Sequence, residues 1–306
     1  PMKRALRIFS LSALAMCLLT VFALADSGPK DLLTVRVEHP PEEGYYLDLV
    51  AEGEYEGHTY GSGDSEYSGI DWSYSDEEAA ALDAELLDAL RAAVPEGSHA
   101  CTAEGTNGAP MWGDLEGEDS LSGARLHTFS YFGVPDTYQI LIVTKVGDSY
   151  LSPPCTRQVL QSSVTVDWAS KSVAVPSVWA SYVLQFLCTA LTTLVIEGGL
   201  LLLFGFGKTK RNRLVFLLVN LVTQGGLAVY TAHLFLRHGV SGWSVLFGLI
   251  PAELVITAVE ALLYRYLLTG QTRARATAYG VLANLCSAAL GIFLAEPVWQ
   301  LMVSIL

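Results

Sequence analysis

Two glutamates lie inside a segment of this sequence that is apolar and long enough to cross a bilayer. The segment runs from Gly242 to Gly270 and contains Glu253 and Glu260. Their spacing is close to two turns of an α-helix, so both side chains are expected on one helical face. A carboxyl group at that depth normally faces a protein interior or a wet cavity, where it can bind a proton, a cation or a polar ligand.

The other apolar segments carry polar residues at comparable depths, counted from their basic ends at about 1.5 Å per residue. We therefore predict an intramembrane polar cluster of Glu197, Gln224 and Glu253 near the bilayer centre, with Asn220, Glu260 and Asn284 nearer the cytoplasm. An ionised carboxylate costs about 2.5 to 3.5 kcal/mol at a helix centre, so these carboxyls are expected to be protonated or paired. The cluster either holds the helices together by hydrogen bonds or is a site for an ion, a proton or a ligand.

The charge distribution divides the chain into two parts. Of 306 residues, 51% are hydrophobic and the mean hydropathy is +0.38, a composition too apolar for an ordinary soluble protein, so we predict a membrane protein. Residues 26–175 contain 27 Asp and Glu against 7 Lys and Arg, a net of −20, whereas residues 176–306 contain 4 against 8, a net of +4. This asymmetry predicts a soluble domain followed by membrane spans. The acidity argues against nucleic acid as a partner.

The first 25 residues have the pattern of a signal peptide. Lys3, Arg4 and Arg7 precede an apolar stretch that ends in the small-residue pattern Ala23-Leu24-Ala25. This order predicts export and cleavage before Asp26. An uncleaved membrane anchor is the alternative.

Residues 26–175 are predicted to form an exported, acidic α+β domain. Asp76 is the predicted cap of one amphipathic helix, which runs through Glu77, Glu78 and an apolar pattern of period 3.6 from Leu82 to Val94. The Gly- and Ser-rich segment 57–75 is expected to be a loop. Alternating apolar residues predict strands near 33–37, 45–50, 127–132, 137–146 and 161–169. The expected fold is a small antiparallel sheet with one helix.

Cys101 and Cys155 are the only cysteines of this domain. Because an exported domain meets an oxidising environment, they predict a disulfide, with two free thiols as the alternative. His99 and Cys101 have a spacing that would also suit a metal ion, so the sequence leaves metal binding undecided. No sequence motif points to a cofactor, and we expect none.

Four apolar runs in residues 176–306 each reach the roughly 20 residues that a membrane span requires. They cover about 178–206, 214–236, 243–268 and 276–294. Basic residues follow the first and third runs, and loops rich in Lys and Arg stay in the cytoplasm. The prediction is an all-α four-helix transmembrane bundle in the cell membrane, with the N-terminal domain and the C-terminus outside the cytoplasm.

Several blocks of the sequence resemble a group of uncharacterised bacterial multi-span membrane proteins with an exported N-terminal domain. The blocks are YFGVPDTYQILIVTKVGDSYLS with QSSVTVDWA, and EGGLLLLFGF with LVNLVTQ and ELVITAVEALLYR. The resemblance covers most of the mature chain. It implies the architecture and no particular activity.

Binding or sensing of a ligand outside the cytoplasm is the first functional prediction. The negative charge of residues 26–175 would attract cations, basic peptides or polycations, although it would equally keep a secreted domain soluble. The second prediction is a small cation- or proton-coupled transporter that uses the intramembrane carboxyls. An enzyme comes third, because no pair of nucleophile and base can be identified. Expected partners are membrane lipid, an extracytoplasmic ligand or protein and, for a transporter, further copies of this chain.

Overall fold

The computed structural model describes residues 31–57, 68–120, 122–238 and 245–305. The described residues divide into an N-terminal domain that ends at Val178 and a helical domain that begins at Trp179. The predicted signal peptide at 1–25 lies outside the described residues.

One sheet of the N-terminal domain contains a parallel pair of strands. Its members are β1 (Leu32–Glu38), β4 (Trp112–Gly113), β5 (Glu118–Asp119), β6 (Arg125–Ser130), β10 (Gln161–Asp167) and β11 (Ser172–Ala174). Their order is β11-β10-β1-β6-β4, with β5 also paired to β6. Because β1 pairs in parallel with β10 and antiparallel with β6, this sheet is mixed. The prediction of one small antiparallel sheet is therefore wrong in both the number and the type of sheet.

The second sheet is antiparallel in all its pairs. It contains β2 (Tyr45–Glu52), β3 (Ser98–Ala100), β7 (Thr137–Thr144), β8 (Ser149–Leu151) and β9 (Cys155–Thr156). The order is β3-β2-β7-β8, and β9 also pairs with β7.

Strand β1 shows how the apolar pattern builds the core. Leu33, Val35 and Val37 alternate with less buried residues and are fully enclosed, as the period of a strand predicts. They pack against Leu47 and Ile140 of the second sheet. The opposite face of the second sheet is also covered, by apolar residues of a helix. The N-terminal domain therefore has three layers, with the second sheet in the middle.

Three short helices form the third layer, where the sequence predicted one. They are α1 (Gly69–Ser73), α2 (Asp76–Ala81) and α3 (Ala84–Ala92). The single amphipathic helix predicted from the cap at Asp76 to Val94 is divided into α2 and α3, because Asp83 starts a new helix with its own cap, and the cap of α2 is Ser75 and not Asp76. Ser68 and Ser75 begin α1 and α2 with capping boxes, in which the serine and an acidic residue three positions later exchange hydrogen bonds with the backbone. These caps explain why a helix forms at the end of the segment that was predicted to be a loop.

The helical domain contains α4 (Val178–Leu203), α5 (Lys210–His238), α6 (Ile250–Leu267) and α7 (Arg273–Ile305), and a π-helical turn, Val245–Leu249, leads into α6. Within the described part of the chain, three helical segments are long and apolar enough to cross a membrane: Val178–Leu203, Lys210–Leu234 and Phe247–Leu267. They indicate a membrane protein. The fourth predicted span lies within α7 and stays a prediction.

The helices expose apolar side chains and bury polar ones. Val195 and Leu254 are 67% exposed and Val222 is 72% exposed, whereas Glu197 and Glu260 are 0% exposed. In water this arrangement would be unfavourable. It suits helices whose outer surface contacts lipid and whose polar groups must find partners inside the protein.

The predicted disulfide must be corrected, because Cys101 and Cys155 are free thiols and both are buried. Cys101 follows β3 and Cys155 lies in β9, with β2 and β7 between them in the sheet. Strands are spaced about 4.8 Å apart, and a disulfide requires Cα atoms within about 7 Å. Burial raises the pKa of both thiols, so both are expected to stay protonated and unreactive.

Candidate functional site

Glu260 joins three helices through its carboxyl group. Its Oε2 accepts a hydrogen bond from Nδ2 of Asn284 on α7, at 2.8 Å. Its Oε1 has a short hydrogen bond with the hydroxyl of Thr223 on α5. The Thr223 hydroxyl also lies 2.9 Å from the carbonyl oxygen of Val219, which is a second acceptor for its hydrogen. The Glu260 carboxyl can therefore bond to Thr223 in either protonation state. An ionised carboxylate accepts the hydrogen of the Thr223 hydroxyl, and a protonated carboxyl donates its own hydrogen to the Thr223 oxygen.

Glu197 of α4 is also enclosed, and it has partners on the neighbouring helices. Ser287 of α7 donates its hydroxyl hydrogen to Oε1 of Glu197 at 3.2 Å, and Tyr279 donates to the Glu197 carbonyl oxygen at 3.2 Å. The side chain of Asn220, on α5, adjoins the Glu197 carboxyl. Glu197 therefore links α4 to α5 and α7. These are the same two helices that Glu260 links to α6.

Two oxygen atoms of this cluster are buried and have no hydrogen-bond partner among the described residues, namely Oε2 of Glu197 and Oδ1 of Asn220. The amide nitrogen of Asn220 already donates to the Tyr264 hydroxyl at 2.8 Å and to the carbonyl oxygen of Phe216 at 3.2 Å. Both of its hydrogens are thus in use. The Asn220 amide can therefore form a further hydrogen bond only by accepting one at Oδ1.

The two carboxyls belong to one connected network. On α7, the Ser287 hydroxyl lies 3.0 Å from the carbonyl oxygen of Asn284. On α5, the Thr223 hydroxyl lies 3.2 Å from the carbonyl oxygen of Asn220. The structure thus brings together four of the six residues in the predicted cluster, namely Glu197, Asn220, Glu260 and Asn284.

The other two members, Glu253 and Gln224, do not enter the network. Glu253 is exposed and Gln224 is half-buried. Glu253 leaves α6 in nearly the same direction as Glu260, as the spacing predicts. Only Glu260 is enclosed by neighbouring helices, because the direction of a side chain does not determine what packs against it. The described residues include no hydrogen-bond partner for the Glu253 carboxyl.

A polar residue that the sequence analysis did not select, Asn212, connects two loops of the helical domain. It is 1% exposed. Its Nδ2 donates to the carbonyl oxygens of Phe206 at 3.0 Å and Thr269 at 2.8 Å, and its Oδ1 accepts from the Thr269 amide at 3.1 Å. The loop between α4 and α5 therefore meets the loop between α6 and α7 at one end of the helical domain. The feature of the sequence that could have identified Asn212 is its position among the basic residues that follow the first apolar run.

No protein-family model, no curated protein and no solved structure matches the chain. The resemblance of the sequence blocks therefore rests on those blocks alone, and the function must be argued from the geometry.

The N-terminal domain carries an exposed group of aromatic rings that the sequence analysis also missed. The rings of Trp112 and Tyr131 have centroids 4.5 Å apart, and those of Tyr131 and Phe132 are 4.8 Å apart. Trp112 is 38% exposed and Phe132 is 43% exposed. We call these three residues the aromatic surface.

The backbone at the aromatic surface is strained. Tyr131 has a φ of 85°, which is rare for a bulky residue and costs free energy. The strain is held in place by neighbouring contacts, since the Tyr131 amide donates to the Asp31 carbonyl oxygen at 3.0 Å and the Gly133 amide to that of Pro110 at 2.9 Å. A strained residue at an exposed aromatic group is a feature often found at binding sites.

A metal site has less support in the described residues, among which no group of three or more His, Cys, Asp and Glu side chains could hold an ion. His99, one of the two candidate ligands, has its Nδ1 atom 2.6 Å from the carbonyl oxygen of Gly53. The thiol of Cys101, the other candidate, is buried.

Proposed function

We propose that this protein is a membrane-anchored receptor whose N-terminal domain lies outside the cytoplasm and binds a cationic ligand rich in arginine at the aromatic surface. The observation that carries the proposal is the exposure of Trp112 and Phe132 beside the strained Tyr131. The faces of aromatic rings attract cations, and the planar guanidinium group stacks on them. The net charge of −20 over residues 26–175 would raise the rate at which such a ligand arrives.

In this proposal the helical domain is an anchor. Its buried carboxyls are enclosed and hydrogen-bonded to neighbouring helices, as expected for groups that hold helices together. The exposed apolar side chains of α4, α5 and α6 would contact lipid.

A binding experiment with the full-length protein in detergent tests the receptor proposal. A fluorescent hexa-arginine peptide is the probe, and a hexa-glutamate peptide is the negative control. Trp112→Ala should weaken binding of the probe by roughly threefold to thirtyfold, since a cation–π contact contributes about 0.5 to 2 kcal/mol. Val146→Ala is the matched control, because Val146 is a 70% exposed apolar residue of the same domain. Equal affinity of the two variants, or no binding by the wild type, would refute the proposal.

The orientation of the spans is part of the same proposal. Asn212 places the two loops at one end of the helical domain. Seven of the eight Lys and Arg of residues 176–306 lie in these loops or in the adjoining turns of the helices, and basic segments of this kind are retained in the cytoplasm. Single cysteines at Thr209 and Thr272, in a background without Cys188 and Cys286, should be protected from an impermeant thiol reagent in intact cells. A cysteine at Ser241 should react. Labelling of position 209 from outside would show that the orientation is reversed.

Proton- or cation-coupled transport is the second candidate function. The observation that favours it is the single network shared by Glu197 and Glu260, two buried carboxyls on different helices. In proteoliposomes, Glu197→Gln and Glu260→Gln should each abolish flux of the coupled ion, because an amide cannot lose a proton. Glu253→Gln, which changes an exposed carboxyl, should retain it. If the wild type shows no flux, the transport proposal is refuted and the receptor proposal is the one that remains.

A further inference from the structure

The segment between β6 and β7 carries two of the three rings of the aromatic surface. It covers residues 131–136 and belongs to no helix or strand of the N-terminal domain. Tyr131 packs against both of the other rings and has the strained φ of 85°. A strained residue persists only where its surroundings determine its conformation. The groups that hold this segment therefore decide whether the three rings lie together.

One buried side chain, Arg157, bonds to three consecutive residues of this segment. Its guanidinium group donates to the carbonyl oxygens of Val134 at 2.9 Å and Pro135 at 3.1 Å, and to the carboxylate of Asp136 at 3.3 Å. Buried carbonyl groups need donors. Because the segment belongs to no strand, these two carbonyl groups obtain a donor from a side chain.

Asp31 connects Arg157 to the strained end of the segment. Its carbonyl oxygen accepts a hydrogen bond from the Tyr131 amide at 3.0 Å. Its carboxylate lies 3.5 Å from Nη1 of Arg157, and the side chains of Asp31 and Arg157 are 2% and 0% exposed. Burial raises the pKa of Asp31 to about 6, a shift that the charge of Arg157 opposes, so the carboxyl is ionised at neutral pH. The buried ion pair therefore fixes the residue whose backbone holds Tyr131.

The guanidinium group of Arg157 has no donor left over. Its Nη1 also lies 3.4 Å from the carbonyl oxygen of Leu160. Nε thus has one acceptor, and Nη1 and Nη2 have two each, which matches the five N–H groups of an arginine. A lysine carries three donors on one atom and lacks the planar fork that points in these directions.

We infer that Arg157 is the positioning residue of the aromatic surface, because it holds residues 131–136 in the conformation in which Tyr131 packs against Trp112 and Phe132. Trp112 belongs to β4 and not to the segment, so a change in the segment alone would separate the rings. The inference rests on the proposed receptor function only for the role of the surface, since the support itself consists of contacts within the domain.

Contacts that do not involve Arg157 should keep the domain folded when the support is removed. Val134 is 4% exposed and packs in the core, and the Gly133 amide donates to the carbonyl oxygen of Pro110 at 2.9 Å. Loss of Arg157 alone would leave Asp31 as a buried charge without a counter-charge, but replacing both members of a buried ion pair by apolar residues is often neutral. The double variant Arg157→Met with Asp31→Leu therefore removes the support, and it preserves the net charge.

Hydrogen–deuterium exchange of the full-length protein in detergent tests the support without a ligand. In the double variant, the amides of residues 131–136 should exchange roughly tenfold faster than in the wild type, because the bonds that hold them are gone. The amides of β1 and β10 should keep their rates. Unchanged exchange in residues 131–136, or an equal increase throughout β1 and β10, overturns the inference.

Arg157→Lys decides the case in which the double variant does not fold. It keeps a positive charge beside Asp31 and loses the planar fork that reaches residues 134–136. The same local increase in exchange is expected. Wild-type exchange of residues 131–136 in this variant overturns the inference, because a single charge would then be sufficient.

Affinity for the hexa-arginine peptide tests the consequence for binding. The double variant should bind the peptide roughly threefold to thirtyfold more weakly than the wild type, as Trp112→Ala does when one ring is lost. The matched control is Arg125→Met with Asp119→Leu, which removes an exposed ion pair at the other end of β6 and should not change the affinity. Equal affinity of the wild type and the double variant overturns the inference. If the wild type binds no peptide, the receptor proposal fails, and the exchange rates alone decide whether Arg157 positions the surface.

Discussion

Gly280 of α7 lies directly against Ala261 of α6. A Cβ atom at Gly280 would be 2.7 Å from Cα of Ala261 and 3.1 Å from its amide nitrogen, so the two helices cross without room for a side chain. The carbonyl oxygen of Gly280 accepts a hydrogen bond from Asn284 at 3.0 Å, and Asn284 also donates to Glu260 at 2.8 Å. The close crossing therefore brings the amide of α7 to the carboxyl of α6.

Gly280→Ala should destabilise the helical domain. The added methyl group must push the backbones apart, and overpacking of this kind costs about 1 to 3 kcal/mol. Gly291→Ala in the same helix is the control, because nothing lies within 4 Å of its Cβ position. That substitution should be neutral or stabilising, since alanine is favoured over glycine in a helix by about 0.5 to 1 kcal/mol. Thermal unfolding in detergent measures both, and equal unfolding temperatures would contradict the close crossing.

The two thiols of the N-terminal domain should behave as free, protected groups. Cys101 is 1% exposed and Cys155 is 7% exposed. In full-length protein whose Cys17, Cys188 and Cys286 are replaced by alanine, a thiol reagent should react slowly in native buffer and titrate two thiols after denaturation without a reductant. Finding no titratable thiol in the denatured, unreduced protein would show that a disulfide forms after all.

Local patterns in the sequence were sufficient for the parts of the fold that depend on neighbouring residues. Alternation predicted β1, β2, β6, β7 and β10, and the 3.6 period predicted α3, because burial of one face imposes these periods. The parallel pairing of β1 with β10 joins residues about 130 positions apart, such as Leu33 and Ser162. No local pattern encodes such a partner, so the number and type of sheets could not be predicted.

The polar cluster shows the same limit. Polar residues inside apolar runs marked Glu197, Asn220, Glu260 and Asn284 as unusual, because such groups require partners in lipid. The helix faces that pack together depend on close crossings such as Gly280 with Ala261, which bring Glu260 inside and leave Glu253 exposed. Thr223 and Ser287 were missed as partners of the carboxyls. A hydroxyl residue in a helix usually bonds to its own backbone, and both residues also do so here.

His127 should make a contribution to the stability of the N-terminal domain that is lost in acid. Its ring is buried between Tyr45, whose hydroxyl lies 2.9 Å from Nε2, and the carbonyl oxygen of Asp114, 3.0 Å from Nδ1. Burial lowers the pKa of His127 to about 4, so the folded state holds the neutral ring. Its contribution is fully present above pH 6.5, the pKa of an unfolded histidine, and is lost as the pH falls towards 4. The maximum loss is about 3 kcal/mol.

The measurement must isolate His127, because other buried groups titrate in the same window. Burial raises the pKa of Asp31 and of Asp48 to about 6, and raised carboxyl pKa values act in the opposite direction, with stability lost as the pH rises through 6. The comparison is therefore between the wild type and His127→Gln, by chemical unfolding of the full-length protein from pH 7.5 to 4.5. The stability of the wild type relative to that of the variant should fall on acidification, whatever the sign of the total change. Parallel curves would show that His127 is not held neutral.

Glu260 and Glu253 should respond differently to the same substitutions, although they belong to one helix. Both oxygens of Glu260 are bonded, to Thr223 and to Asn284. Glu260→Gln keeps both contacts, because the amide oxygen accepts from Asn284 and the amide nitrogen donates to the Thr223 hydroxyl, which in turn donates to Val219. Thermal stability in detergent should therefore be maintained. Glu260→Leu leaves the Asn284 amide without its acceptor in the interior, and it should cost about 1 to 3 kcal/mol.

Glu253→Leu is the matched control for this pair. It replaces an exposed carboxyl between Ala252 and the exposed Leu254, so it should leave the stability unchanged or raise it if the side chain contacts lipid. Equal loss of stability in both Leu variants would mean that Glu253 has an enclosed environment as well. No loss in Glu260→Leu would mean that the network is not what holds α5, α6 and α7 together, and that apolar packing around Tyr264 and Tyr279 does so instead.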